Sequence, residues 1–221
     1  MRIEKYIHQA YPNLILCMAG WSVTPELFHH LRVPPETDVW IVYDYRNATF
    51  DEDLSRYATV HLVAWSLGVW EAQRLWAGKR LFTTATAING TPCPLHDRYG
   101  IPVLIFEGTL ARIDAEGMRR FNRRMCGDRE TLSLYMRLPA RPLEEIRDEL
   151  RSLYERIRLF SNEPLRPEDS SFWSRVILST NDQIFPVDNL RRYWRGRCPI
   201  QEIEAAHLPF YHYQTWQELW R

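Results

Sequence analysis

Val63-Ala64-Trp65-Ser66-Leu67-Gly68-Val69-Trp70 is the stretch on which the reading of this chain turns. An apolar run of strand character stops at a serine, and a helical pattern begins directly after it. Small residues, Ala64 and Gly68, stand two places to either side. That spacing is the pattern of a nucleophile elbow, a sharp strand-to-helix turn that lifts a serine hydroxyl above a sheet. Bulky neighbours would clash in so tight a turn. The usual form is G-x-S-x-G, and here Ala64 replaces the first glycine. The plain alternative is a strand-to-helix junction that merely carries a serine.

Two downstream segments sharpen the choice. The run from Val176 to Pro186 reads as a short buried strand ending on an acid, Asp182. Ile200 to Ala206 reads as another strand-like run, followed by His207-Leu208-Pro209-Phe210. The order Ser66, Asp182, His207 is the order of nucleophile, acid and base in α/β-hydrolases, and differs from the orders of other serine hydrolase folds. A serine hydroxyl is a weak nucleophile without an adjacent base. His207 is expected to take its proton and return it to the leaving alcohol, with Asp182 holding the imidazole tautomer. Asp188 is the second candidate acid, expected on a short helix after Pro186. His212 is the second candidate base, on or near a final helix. The tetrahedral intermediate needs two backbone donors. The N–H of Leu67 is one candidate. The N–H of Trp21, after the Leu14 to Met18 run and Gly20, is the other, unless Gly20 marks an ordinary turn.

Further apolar runs occur at Leu14 to Met18, Val39 to Tyr43, Val60 to Trp65, Thr84 to Ile88 and Val176 to Ser179. They are continuous, not alternating, as in a parallel sheet covered on both faces. Helical spacing predicts helices over Leu67 to Ala77, ending at Gly78, over Leu143 to Leu159, over Val187 to Trp194 and over Gln214 to Trp220. Asp114 is a candidate cap for a helix through Met118, Phe121 and Met125. The fold predicted is an α/β-hydrolase: a mostly parallel central sheet with helices on both faces. A small helical cap, residues 101–165, is expected before the acid-bearing strand. Val103 to Phe106 fits either a strand or a helix by pattern, and Asn162 to Ser171 reads as a polar loop leading back into the sheet.

Composition limits the function classes. The chain has 221 residues, 45% hydrophobic and 13% aromatic, enough for one domain with a buried core. The 28 basic and 28 acidic residues balance, so no general attraction to nucleic acid is expected. Lys5 and Lys79 are the only lysines, and the other cations are arginines. No run approaches the roughly 20 apolar residues that span a bilayer, and Met1 to Ala10 lacks the apolar core of a signal peptide. Cys17, Cys93, Cys126 and Cys198 show no metal spacing and read as unpaired thiols. The histidines form no metal motif, and neither a metal nor a cofactor is expected.

Ala19-Gly20-Trp21, Val42-Tyr43-Asp44-Tyr45, Ala64 to Val69, Ala87-Ile88-Asn89-Gly90-Thr91 and Phe121-Asn122-Arg123-Arg124-Met125-Cys126-Gly127 together resemble the pimeloyl-[acyl-carrier protein] methyl ester esterases of the BioG type. The resemblance runs from about residue 11 to 213. The Asn-Gly-Thr and Phe-Asn-Arg-Arg-Met-Cys runs are its most specific parts. It implies a cytoplasmic enzyme of biotin synthesis that cleaves the methyl ester of a pimeloyl chain held on an acyl carrier protein and releases methanol. By motif, Ser66, His207 and Asp182 match the family nucleophile, base and acid, and Trp21 and Leu67 its oxyanion positions. Ile101 to Leu110 then matches the start of the helical cap, which weakens the strand reading there.

Such a substrate sets physical demands. A carrier protein is acidic and holds its acyl chain on a long phosphopantetheine arm. A basic docking face should therefore lie some way from the serine, joined to it by an apolar passage. Arg119, Arg120, Arg123 and Arg124 are the docking candidates, with Arg120 and Arg124 sharing one helical face and Arg119 and Arg123 another. Trp21, Trp65, Phe106, Phe121 and Phe210 are candidates for the passage. A solvated charged face is the ordinary alternative for the arginines. A short-chain carboxylesterase, an acyl-carrier-protein thioesterase and a non-catalytic Arg-rich interaction protein on the same fold are the competing functions.

Overall fold

The computed structural model describes residues 1–160 and 172–221. Seven strands form one sheet: β1 (Arg2–Ile7), β2 (Asn13–Met18), β3 (Thr37–Tyr43), β4 (Thr59–Trp65), β5 (Thr84–Ile88), β6 (Arg175–Ser179) and β7 (Ile200–Ile203). Their spatial order is β1-β3-β2-β4-β5-β6-β7. β1 pairs antiparallel with β3, and every other pairing is parallel. Leu14 to Met18 are all fully buried, as are Ala85 to Ile88. Successive strand residues point to opposite faces, so the sheet is covered on both sides. This is the α/β-hydrolase architecture expected from the apolar runs.

The connection after β2 leads to β3 on one side, whereas the connection after β4 leads to β5 on the other. The carboxyl ends of β2 and β4 therefore flank a crevice at a topological switch point, where open α/β sheets bind their ligands. Helix α1 (Leu67–Trp76) follows β4 directly. Among the described residues, four helices stand between β5 and β6: α2 (Val103–Leu110), α3 (Ala115–Cys126), α4 (Arg129–Tyr135) and α5 (Leu143–Leu159). They fall within the span expected to form an insertion, and Val103 to Phe106 is helical. Residues 161–165, and the expected loop up to Ser171, lie outside the described residues. Helix α6 (Val187–Trp194) follows β6.

Three readings are corrected. Arg2–Ile7 is an edge strand, although its polar character gave no strand signal. Only an edge, with one neighbour and one open side, tolerates that composition. The strand after α6 ends at Ile203, not Ala206, because Ala205 turns back to bond the carbonyl of Ile203 at 3.1 Å. The expected terminal helix is a single 3₁₀ turn, Trp216–Leu219. Thr215 and Glu218 form a capping box there, while Trp216 is tied by its N–H to the carbonyl of Arg32 at 3.2 Å.

Helix α5 is fastened to the sheet by buried charge. Arg141, just before it, pairs with Glu149 at 2.6 Å and with Asp44 at 3.2 Å. Asp44 also binds Arg46 at 2.6 Å and Arg2 at 3.1 Å. Glu149 Oε1 accepts the backbone N–H of Tyr45 at 3.0 Å. Farther along α5, Arg156 pairs with the buried Glu71 of α1 and donates to the carbonyl of Tyr45 at 2.7 Å. Burial pushes the Glu149 carboxyl above its ordinary value against the opposing charge of Arg141. Burial also acts to raise Asp44, but Arg46 and Arg141 outweigh it and hold that carboxyl below the ordinary range. Arg141 thus offsets two buried carboxylates at once. Removing one member of such a buried network costs about 3–5 kcal/mol, because the others stay desolvated and unpaired. Arg141→Met should lower unfolding stability by about that amount in urea titration, and a loss below about 1 kcal/mol would place the network at the level of a surface pair.

Candidate active site

Ser66 sits between β4 and α1 with φ +58° and ψ −126°. A non-glycine residue in this region is strained, and such strain persists only where surrounding packing over-determines it. The packing is specific. A Cβ at Gly68 would lie 2.3 Å from the carbonyl oxygen of Met18, and one at Gly90 would lie 2.3 Å from that of Ser66. Ser66 N–H bonds the carbonyl of Ile88 at 2.9 Å, tying the turn to the end of β5. The small residues of the motif therefore answer to backbone approach, and fully buried Ala64 is small enough for its place.

His207 stands on the loop after β7, and its Nε2 lies 2.9 Å from Ser66 Oγ. Its Nδ1 lies 2.7 Å from Oδ2 of Asp182, on the turn after β6. The other carboxylate oxygen of Asp182 accepts the N–H groups of Ile184 at 2.7 Å and Phe185 at 2.9 Å. Those two bonds fix the carboxylate plane and leave Oδ2 for the imidazole. All three side chains are buried. An imidazole placed between a hydroxyl and a fixed carboxylate can accept the hydroxyl proton and be stabilised as imidazolium.

The histidine loop is held from several sides. The carbonyl of His207 accepts from the indole N–H of Trp65 at 2.9 Å and from Asn89 Nδ2 at 2.9 Å. Asn89 also bonds Ser179 through both ends of its amide, at 2.7 Å each. It therefore joins the ends of β5 and β6 to the histidine loop. The ring of Phe185 stacks on the imidazole at 5.9 Å, and the N–H of Leu208 reaches the carbonyl of Met125, on α3, at 3.0 Å. Asn89 entered the sequence reading only as part of a motif. Nothing in its local pattern marks a residue whose partners lie about ninety positions and more away.

Gly20, Trp21 and Leu67 line the same cavity as Ser66. Neither the N–H of Trp21 nor that of Leu67 has an acceptor within the chain among the described residues. Leu67 is the first residue of α1, where the N–H is unsatisfied by geometry. The Trp21 indole donates to the carbonyl of Ile146 on α5 at 2.8 Å and meets Phe121 of α3 edge-on at 4.9 Å. The loop after β2 is thus braced by two of the helices that follow β5.

The cavity is a narrow apolar slot with about 30 Å³ of free space. Trp21, Trp65, Phe106 and Phe121 line it, as expected of the passage. Phe210 does not. It packs into the core against Phe28 and Trp65, at 4.8 and 5.3 Å. The alternative acid and base are elsewhere: Asp188 is an exposed residue of α6 paired with Arg191 at 3.0 Å, and His212 is exposed at the end of a 3₁₀ turn.

Helix α3 is capped by Asp114, which accepts the N–H of Gly117 at 2.8 Å. The helix buries Met118, Phe121, Met125 and Cys126. Arg119, Arg120 and Arg123 are exposed and Arg124 is half-buried. Arg124 reaches the slot, while Arg120, Arg123 and Arg124 line an adjoining groove together with Arg112. Arg119, on the same helical face as Arg123 at i, i+4, lines neither space. Arg112 was not singled out in the sequence, since only the fold brings it beside α3. Among the described residues no helix is long and apolar enough to cross a membrane, and no group of three or more His, Cys, Asp or Glu is arranged to hold a metal ion.

The family model described as pimeloyl-ACP methyl esterase BioG matches residues 1–219. The crystal structure of selenomethionine BioG from Haemophilus influenzae superposes with a TM-score of 0.93, at 39% identity and with 100% of both chains covered. An uncharacterized protein of Haemophilus influenzae is 40% identical over 220 residues, 100% of this chain and 99% of that protein. A malonyl-[acyl-carrier protein] O-methyltransferase of Bacteroides fragilis is 42% identical over 139 residues, which span 62% of this chain and 28% of that protein.

Proposed function

The chain belongs to the BioG family of pimeloyl-ACP methyl esterases, and from that premise we propose that Ser66, His207 and Asp182 perform its ester hydrolysis. The substrate is the methyl ester at the far end of a pimeloyl chain carried by an acyl carrier protein, and the step serves biotin synthesis. One observation carries the assignment of residues: the two imidazole nitrogens of His207 lie 2.9 Å from Ser66 Oγ and 2.7 Å from Asp182 Oδ2.

The mechanism follows from that line of contacts. Ser66 Oγ attacks the ester carbonyl while His207 Nε2 takes its proton. Negative charge gathers on the former carbonyl oxygen, and the N–H groups of Trp21 and Leu67 stabilise it. Losing one such donor typically costs about 10²–10³ in turnover. The imidazolium, stabilised by Asp182, gives its proton to the departing methoxide, which leaves as methanol. Water, deprotonated by His207, then attacks the acyl-enzyme. Ser66 regains its proton and the pimeloyl carboxylate is freed.

Helices α2 to α5, within the expected span 101–165, act in this reading as a cap that encloses the acyl chain. Arg119, Arg120, Arg123 and Arg124 supply the positive face that attracts an acidic carrier. The free thiols of Cys17, Cys126 and Cys198 suit a reducing compartment, in keeping with work in the cytoplasm. Neither nucleic acid nor membrane enters the scheme. A thioesterase would use the same three residues on the other end of the substrate, and the family match does not favour it. A non-catalytic role would leave the buried Ser66–His207–Asp182 line without purpose.

With methyl pimeloyl-carrier protein as substrate, methanol release should fall by about 10³–10⁴ in Asp182→Asn, through loss of the correct imidazole tautomer, and stay near wild type in Asp188→Asn. The reverse ranking would reassign the acid. Replacing Arg119, Arg120 and Arg123 by glutamate should depress turnover of the carrier-bound ester far more than that of a small soluble methyl ester. Equal loss on both would remove these residues from carrier recognition.

A further inference from the structure

The groove beside the slot has a volume of about 580 Å³ and is open to solvent along α2 and α3. Arg112, Arg120, Arg123 and Arg124 line it, with no carboxylate among its lining residues. Among the described residues, Arg112, Arg123 and Arg124 form no ion pair, and Arg120 pairs only with exposed Glu116, at 3.0 Å. Elsewhere in this chain, partly or fully buried arginines such as Arg46, Arg74, Arg141 and Arg156 sit against carboxylates. Here four arginines line one concavity, three of them in no ion pair among the described residues. Planar, multi-donor guanidinium groups suit phosphate oxygens.

The groove also leads to the reacting centre. Ile105, Thr109, Phe121 and Arg124 line both it and the slot that holds Ser66. They form the partition between a basic outer space and an apolar inner one. On the outer rim, Leu104 is 82% exposed, an apolar side chain presented to whatever lies in the groove. A ligand matched to both spaces is a thin chain with a phosphate at its outer part and an apolar segment at its inner end.

We propose that this groove is a binding site for the phosphate of a phosphopantetheine arm, read by Arg112 and Arg124 with Arg120 and Arg123 beside them. The proposal rests on the reading that the substrate is held on an acyl carrier protein. It differs from carrier docking in what is recognised: a phosphate on the arm, inside a concavity, in place of acidic side chains on the carrier's surface. Arg124, bordering both spaces, is then a specificity residue that holds the arm at the point where the groove opens toward the slot.

Calorimetric titration of the wild-type protein with 4′-phosphopantetheine and with pantetheine tests this without carrier protein and without turnover. The phosphorylated compound should bind at least about tenfold tighter, the lower bound for hydrogen bonds to a charged group. The advantage should weaken as salt rises. In Arg112→Gln/Arg124→Gln, with folding checked by its melting transition, the ratio of the two affinities should approach one. Each single substitution should reduce it in part, should the double variant fail to fold. Equal affinities in the wild type, or a ratio that survives both substitutions, would overturn the proposal. Failure of the esterase reading would instead appear as absence of methanol release from the carrier-bound ester.

Discussion

The reversal of the chain at Ser66 is the constraint on which the rest of the site depends. The serine holds a positive φ between β4 and α1, and it does so because the backbones of Met18 and Gly90 press against the turn from both sides. That contact requires neighbouring parallel strands to end at one level. The same level brings the loops after β2, β6 and β7 together, so that an N–H, a carboxylate and an imidazole converge on one hydroxyl. Strain of about 1–3 kcal/mol at one residue is maintained by a sheet whose central strands are fully buried.

Fixing the turn does not by itself fix the partners. His207 is positioned through its carbonyl by Trp65 and Asn89, and its loop is joined to α3 through Leu208. Trp21 is joined to α5 and α3. Helix α5 is in turn anchored to the sheet by Arg141, Glu149 and Asp44. The helices after β5 are therefore continuous with the reacting centre: they shape the slot, brace a candidate oxyanion loop and touch the histidine loop. The arginine-bearing surface of α3 stands only one layer from the serine.

Much of this was legible in the sequence, for physical reasons. Buried parallel strands are continuous apolar runs, so β2 to β6 could be read directly. The three candidate side chains follow strand ends in a telling order, so Ser66, Asp182 and His207 could be singled out before any coordinates. Asp114 and the 143–159 periodicity marked helix boundaries. What escaped depends on tertiary contact or on weak local signals. β1 is a polar edge strand. Phe210 is one of many aromatics, and only packing decides which of them face the slot. Asn89 matters through partners far along the chain. Arg112, in the turn between α2 and α3, shares a groove with Arg124 only through the fold, and Arg119, equivalent to its neighbours in the sequence, does not line it.

The central claim is that Ser66 attacks the methyl ester and leaves the thioester intact. In that case the acyl-enzyme is a covalent conjugate of this protein with the whole carrier, bridged by the pimeloyl chain. Mixing enzyme with methyl pimeloyl-carrier protein, quenching in acid within the first turnover and measuring intact mass reads it directly. The account predicts a species whose mass is that of enzyme plus methyl pimeloyl-carrier less methanol, attached at Ser66 and absent in Ser66→Ala. Enzyme bearing only a methyl pimeloyl group, with the carrier released free, would contradict it.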